Sequence, residues 1–473
     1  MKKFALVMVL IVAVVGFSGQ ALAAEAIVRL GEALYKDLGL SEMGNQSCMT
    51  CHHPLAGFAD TANHVDPLGS PVSDGSALPT EFGGRNAPSA AYAGFLPGLD
   101  CVDDGGLFCT GGMFWDGRAS GRADFTDTAG IEVSVPYPNV GTSLVTGPTL
   151  DPLADQAKGP FQNPVEMALF PDQVIDRVVD PNTNYNKLFK RAFGYRVATL
   201  AATNAPKVYN DIAIAIAAFE RSRELNKFSS KFDRFAREQV DKGIDVSTIV
   251  LNTAGVVVDG FGTPIKSRVF MQEELEGLAL FNMPNDNSGF PLDPGEGGNC
   301  AACHPTGPIT EPTDSQGKTL FTDASYDNLG VPVNPKIAEL AGAQPIDYGL
   351  GAIVPKLTGL DKALIDLQNY CKDVYMRDEI GSCETVLVDF GTVGLFKVPT
   401  LRNVAQTAPY AHNGFFPTLM SIVQFYSDRD VPAFGAPEPE VPDNVNGEEL
   451  GNLGLGTAEM EKIVLFMETL TDR

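Results

Sequence analysis

The chain has 473 residues, with 34 Lys and Arg against 59 Asp and Glu, a formal charge of -25, eight cysteines and five histidines. That length allows two or three domains of about 150 residues, and 44% hydrophobic with 20% charged residues excludes a disordered chain. The acidic balance argues against nucleic-acid binding, because phosphate backbones are held by clustered Lys and Arg.

In chain order, Lys2 and Lys3 precede an apolar stretch from Phe4 to Phe17, and Ala21-Leu22-Ala23 follows. A charged start, an apolar run too short to cross a bilayer and an A-x-A site predict a cleaved signal peptide over 1–23. The alternative is an uncleaved anchor helix. Export to the periplasm or the cell surface, with no membrane span in the mature chain, makes disulfides permissible. Residues 26–38 then read as an amphipathic helix with Ile27, Leu30, Leu34 and Leu38 on one face.

That helix leads into Cys48-Met49-Thr50-Cys51-His52, and Cys300-Ala301-Ala302-Cys303-His304 repeats the pattern about 250 residues later. The C-x-x-C-H spacing lets two thiols add to the vinyl groups of one haem while the histidine turns its imidazole onto the iron. At this composition one chance match is about a one-in-a-thousand event. Zinc would need the two pairs close together. Two covalently bound haem c groups follow, with His52 and His304 as iron ligands.

From about 60 to 160 the chain is loop-rich, dense in Gly, Pro, Asp and Thr. Residues 208–226 form a buried helix, too short and too flanked by charge for a membrane span. Thr248–Leu251 and Val256–Val258, either side of Asn252-Thr253-Ala254-Gly255, predict a small β-hairpin. A helix over 271–282 precedes the second haem motif, residues 431–448 are an acidic Pro-rich loop, and 457–470 is a terminal helix. Thr457 is its expected N-cap, with Met460, Ile463, Val464 and Met467 facing inward. The order helix-then-motif occurs twice. The expected fold is therefore mainly α: two cytochrome c-like haem domains, 24–205 and 206–473, with long loops and a small β-hairpin insertion.

The remaining cysteines fall into two local pairs, Cys101 with Cys109 and Cys371 with Cys383, each in Gly- and Asp-containing sequence. Disulfides that staple surface loops are expected there, with reactive thiols as the alternative. Of the other histidines, His53 is followed by Pro54 and cannot reach the far face of the iron that His52 holds. His64, twelve residues past His52, reads equally as a distal ligand or as a polar loop residue.

Several longer segments carry a resemblance: Ser47-Cys48-Met49-Thr50-Cys51-His52, Gly84-Arg85-Asn86-Ala87-Pro88-Ser89, Phe114-Trp115-Asp116-Gly117-Arg118, Gln162-Asn163-Pro164-Val165-Glu166-Met167, the Phe219-Glu220-Arg221 helix, Tyr326-Asp327-Asn328-Leu329-Gly330-Val331-Pro332 and Phe396-Lys397-Val398-Pro399-Thr400-Leu401-Arg402-Asn403-Val404. Over most of its mature length the chain resembles the bacterial di-haem cytochrome c peroxidase and MauG superfamily. The stretches 125–155, 240–265 and 431–448 stand outside that pattern.

The resemblance implies that hydrogen peroxide reacts at the N-terminal haem, whose iron keeps an open position. Glu166 matches the catalytic glutamate that moves a proton between the peroxide oxygens, and Gln156 and Pro160 match its distal pocket. Trp115 matches an electron-hopping relay between the haems, although a lone tryptophan also suits a core. Asn86 matches the side-chain ligand of a calcium ion whose backbone-carbonyl ligands are matched by Thr407 and Pro409, oxygen donors of the kind a hard cation prefers.

At the second haem, electron-accepting members of the family carry a methionine ligand fourteen residues after the histidine of a Tyr-x-His-x-Gly segment. Here that histidine is His412 and the matching position is Tyr426, the residue type that marks MauG-type enzymes. Leu419, Ile422, Val423 and Tyr426 share one helical face. A phenolate stabilises higher iron oxidation states, whereas a thioether raises the reduction potential. A core tyrosine with another ligand, such as Met420, is the alternative.

Three functions follow. The first is MauG-like: peroxide oxidises the pair of haems, and the holes pass to an aromatic residue of a partner protein. The second is a peroxidase that reduces peroxide to water with electrons from a small cytochrome or cupredoxin. The lack of a clear distal histidine in the first-haem loop tilts against the version that needs reductive activation, and His64 keeps it open. The third is a non-enzymatic di-haem electron-transfer or sensing protein with no role for Glu166.

Overall fold

The computed structural model describes residues 23–76, 82–103, 107–121, 151–289, 295–307, 318–341, 346–352 and 391–473. Nine longer helices organise them: α1 (residues 23–35), α2 (Pro152–Gln162), α3 (Pro171–Val179), α4 (Tyr185–Phe193), α5 (Ala205–Glu220), α6 (Lys231–Val240), α7 (Gln272–Asn282), α8 (Leu419–Asp428) and α9 (Thr457–Glu468). Among the described residues the sheet content is three two-stranded antiparallel ribbons: β1 (Asp100–Asp103) with β2 (Leu107–Thr110), β3 (Val250–Leu251) with β4 (Val257–Val258), and β5 (Tyr326–Asp327) with β6 (Phe396–Lys397). The fold is mainly helical with two haem-motif halves, as expected from the sequence.

Two helix crossings of the same construction set the architecture. On α1, a Cβ at Gly31 would lie 1.7 Å from the carbonyl oxygen of Ala215 on α5. On α7, a Cβ at Gly277 would lie 1.9 Å from the carbonyl oxygen of Lys462 on α9. Only a residue without a side chain lets the backbones approach this closely. One turn after each glycine an aromatic ring meets its partner edge-on: Tyr35 with Phe219 at 5.1 Å, and Phe281 with Phe466 at 5.0 Å between centroids. Gly-x-x-x-aromatic therefore occurs once before each haem motif and packs the same way twice.

Around these crossings lie two apolar cores. The first runs from Ile27 on α1 through α2 to α5 and ends at Phe228, with Leu320 added from further along the chain. The second begins at Phe232 and takes in α7, α8 and α9. The change of core thus falls between Phe228 and Phe232 rather than at 205/206, because α5 has to close the first crossing.

Other boundaries moved for local reasons. The first helix ends at residue 35, not 38, because Asp37 caps the following 3₁₀ turn, accepting from the Gly39 N–H at 2.8 Å. Leu38 is consequently exposed and Leu40 takes the buried place. The helix expected over 208–226 runs from Ala205 to Glu220. Asn204 caps its start and Arg221 leaves the helix in a bidentate pair with Asp151, 2.7 Å for each bond. At the C-terminus Gly456, not Thr457, is the N-cap of α9. Met460, Ile463 and Met467 are buried there, Val464 is half-buried, and Phe466 is the fully buried residue of that face.

The hairpin expected at 248–258 is present as β3 and β4, with Leu251 paired to Val257. Cys101 and Cys109 face each other across β1 and β2 and form a disulfide. Cys371 and Cys383, the signal segment up to residue 22 and most of 125–155 lie outside the described residues.

Phe466, at 0% exposure, touches the rings of Phe232, Phe270, Phe281 and Phe321. Replacing it with alanine should cost about 3–5 kcal/mol of stability. Denaturant unfolding of the haem-loaded protein should show a lower midpoint with an unchanged slope.

Candidate functional site

The first haem motif forms a helical turn, Cys48–Cys51, framed by Ser47 and Thr50. It leaves His52 with its Nδ1–H donating to the Phe58 carbonyl at 3.2 Å, while Tyr35 donates to the His52 carbonyl at 3.0 Å. At the second motif the Nδ1–H of His304 donates to the Phe321 carbonyl at 2.8 Å. Fixing Nδ1 in this way selects the tautomer whose Nε2 carries the ligating lone pair. Burial lowers the pKa of both imidazoles, favouring the neutral, ligating form.

Cys48, Cys51, Cys300 and Cys303 are not disulfide-bonded, although the same chain does form Cys101–Cys109. Burial pushes the Cys51, Cys300 and Cys303 thiols up to about 12, and Cys48 rises as well. Two half-buried, unbridged thiol pairs, each followed by an imidazole whose Nδ1 is held by a carbonyl, fit covalent haem. A cavity of about 270 Å³ joins the two motifs: His52 lines it from one side, and Cys300, Cys303 and His304 from the other.

Trp115 lines the cavity between them and is held by both halves of the chain. Its indole N–H donates to the Asn86 carbonyl at 2.9 Å, and its own carbonyl accepts from the Lys397 N–H at 2.8 Å. Arg85 spans the same divide, bonded to Asp116 at 2.7 Å and to Asp347 at 2.6 and 2.7 Å. Asn86, Thr407 and Pro409 all line this cavity, and the Asn86 Nδ2 donates to the Pro71 carbonyl at 3.1 Å, which turns Oδ1 away from that contact.

Gln156, on α2, also lines the cavity, whereas Pro160 and Glu166 are not among its lining residues. Glu166 sits past the end of α2, where Asn163 Nδ2 donates to its Oε1 at 2.6 Å. Burial raises the Glu166 pKa, opposed by Arg118 and by the Asn163 bond, and its charge reaches Cys48 and Cys51.

Tyr426, on α8, lines the cavity and Met420 does not. Burial is the main cause that raises the Tyr426 phenol, with the Cys303 and Asp327 charges adding to it. His412 is committed elsewhere: its Nε2 lies 3.1 Å from Glu440 Oε2 and its ring stacks on Phe396 at 3.6 Å. His53 Nδ1 accepts from the Leu55 N–H at 3.2 Å, a capping role, and His64 does not line this cavity.

Two cavity residues escaped the sequence reading. Glu220, 4% exposed, has a side-chain oxygen without a partner, and burial pushes its pKa up to about 8. Lys397 is buried with Nζ donating to the Gly112 carbonyl at 2.6 Å, and burial pulls its pKa down to about 8 despite Asp116. The signs for Glu220 were its place in the Phe219-Glu220-Arg221 segment and an acid closing an Ala- and Ile-rich helix.

Between pH 4.5 and about 8 the folded chain keeps a proton on Glu220 that the unfolded chain has lost, so this group makes stability fall as pH rises. The slope is at most about 1.4 kcal/mol per pH unit. Glu220→Gln should flatten the curve of unfolding free energy over that range, and parallel curves for native and variant would refute the assignment.

A family profile described as di-haem cytochrome c peroxidase matches residues 25–241. The methylamine utilization protein MauG of Paracoccus denitrificans is 29% identical over 95% of this chain and 89% of its own. Cytochrome c551 peroxidase of Nitrosomonas europaea is 24% identical over 94% of this chain and 80% of its own. In structure, the diheme peroxidase BthA of Burkholderia thailandensis superposes with a TM-score of 0.60 at 23% identity, covering 94% of this chain and 86% of its own.

Proposed function

Because the chain belongs to the di-haem cytochrome c peroxidase family and is a haem-dependent oxidoreductase of peroxidase type, we propose that it uses hydrogen peroxide to oxidise an aromatic residue of a partner protein, as a MauG-like enzyme. The observation that carries this reading is Tyr426, which stands on the cavity wall while Met420 stands off it. Among the described residues no helix is long and apolar enough to cross a membrane. The N-terminal signal pattern and the Cys101–Cys109 disulfide support an exported, periplasmic protein.

In this reading Cys48, Cys51 and His52 would hold one haem, and Cys300, Cys303, His304 and Tyr426 would hold the other. Bound haem supplies the redox-active iron at which peroxide is reduced. The Glu166 carboxyl takes the proton from one peroxide oxygen and returns it to the other, general acid–base work worth about 10² to 10⁴ in rate. Asn163 fixes Glu166 Oε1, which leaves the second oxygen to do this. Gln156 lines the cavity, and Pro160 follows it one turn later on α2. Trp115 relays electrons between the halves, its indole held rigid by Asn86 and Lys397. Asn86 Oδ1 with the Thr407 and Pro409 carbonyls holds a calcium ion, an all-oxygen set that suits a hard cation.

A second reading, peroxide reduction to water with electrons from a small cytochrome or cupredoxin, is favoured by the cytochrome c551 peroxidase of Nitrosomonas europaea, which matches nearly the whole chain. One experiment separates the two. One equivalent of peroxide is added to the di-ferric protein, and optical and Mössbauer spectra are followed with and without a reduced small cytochrome. Oxidising equivalents that persist for minutes without donor support the MauG-like reading, and fast turnover only with donor supports the second. In both cases Glu166→Gln should slow the reaction with peroxide by about 10²-fold or more, and an unchanged rate would remove Glu166 from the mechanism.

A further inference from the structure

We propose that Tyr185 and Asp37 form a proton-coupled outlet by which oxidising equivalents leave the first haem site for the protein surface, separate from Trp115. The proposal rests on the peroxidase reading above. Tyr185 opens α4 and is 5% exposed, in the core that surrounds the first motif. Its hydroxyl donates to Asp37 Oδ2 at 2.6 Å. Asp37 is half-buried and in contact with water, and its other oxygen accepts from the Gly39 N–H at 2.8 Å, so the carboxylate is fixed in place. The inner end of the pair belongs to the apolar core against which Cys48 and Met49 of the first motif pack.

A phenol that loses an electron becomes a strong acid, so the electron leaves easily only when a base already holds the hydroxyl hydrogen. Of the other tyrosines around this core, two donate to amide carbonyls and two to carboxylates that stand beside a Lys or Arg side chain. Tyr35 donates to the His52 carbonyl and Tyr209 to the Lys158 carbonyl, amide oxygens that bond a proton without accepting it. Tyr195 donates to Asp211, but that carboxylate is buried and clamped by Lys207 Nζ at 3.0 and 2.9 Å. Tyr92 donates to Asp472 with the Arg402 guanidinium 5.1 Å from its ring centre. Trp115 donates to the Asn86 carbonyl and so passes charge without passing a proton. Among these, Tyr185 combines nearness to the first motif with a carboxylate that can hand its proton to water.

The step balances as follows. Tyr185 gives one electron to the peroxide-oxidised site, its O–H bond breaks, and the proton forms a new O–H bond on Asp37 Oδ2 before leaving to solvent. The phenoxyl radical is reduced again by a one-electron donor at the surface and takes back one proton from solvent through Asp37, which restores the Tyr185 O–H bond. Two such events supply the two electrons that reduce one hydrogen peroxide to two waters, with two protons taken from solvent.

The test uses the full-length, haem-loaded protein, mixed with one equivalent of peroxide without donor, freeze-quenched and read by electron paramagnetic resonance. The Soret change is followed in parallel. The native protein should give a tyrosyl radical that disappears in Tyr185→Phe while the Soret change persists. In Asp37→Asn the signal should weaken, and the solvent deuterium effect on radical formation should be lost. A radical of native size in Tyr185→Phe, or no tyrosyl signal despite a full Soret change, overturns the outlet and leaves the peroxidase reading standing. No Soret change in the native protein overturns the peroxidase reading and the outlet with it.

Discussion

The whole arrangement depends on two points where helix backbones touch. Gly31 against Ala215 and Gly277 against Lys462 bring α1 onto α5 and α7 onto α9 at distances that any side chain would prevent. Each crossing seats an aromatic pair one turn later, and each glycine-bearing helix is followed by a C-x-x-C-H turn. The imidazoles of both turns are then oriented by a carbonyl from the same half of the chain. Two haem sites with equivalent proximal sides follow from this repeated contact.

On this symmetric frame the chemistry is made unequal. Around the first motif lie two carboxyl groups whose pKa burial raises, Glu166 against the pull of Arg118 and Asn163, and Glu220 up to about 8. At the second, α8 offers the half-buried phenol of Tyr426, and the histidine fourteen residues earlier is occupied by Glu440 and Phe396. A site supplied with protons suits peroxide chemistry, and a site supplied with an oxygen donor suits the storage of oxidising equivalents. Trp115 between them is pinned from both halves, and Arg85 ties Asp116 to Asp347 beside it. The proposed relay residue and the contacts between the halves thus occupy one place in the structure.

What could be read from the chain was chemistry confined to a few consecutive residues. The C-x-x-C-H turns, the hairpin around Asn252-Thr253-Ala254-Gly255 and the Cys101–Cys109 staple all depend on neighbours in sequence. Tyr426 was readable as an inward position because helical periodicity is also local. Where tertiary contacts compete, periodicity misleads: Leu38 fits the stripe of α1, yet the cap at Asp37 ends the helix and turns Leu38 to solvent. The Asp151 pair likewise ends α5 before the apolar pattern does. The outlet at Asp37 and Tyr185 joins residues 148 positions apart, and the Gly-x-x-x-aromatic repeat gains meaning only when both crossings are seen. Neither has a signature in one stretch of sequence.

The account turns on the two haem sites being chemically unequal, with Tyr426 setting the second. The most direct measurement is a spectroelectrochemical titration that resolves both haems, in the native protein and in Tyr426→Met. Two separated reduction potentials are expected in the native protein, and the methionine should raise one of them and leave the other in place, because a thioether favours the reduced iron that a phenolate disfavours. Potentials unchanged by the substitution would show that Tyr426 does not hold the iron and would contradict the account at its centre.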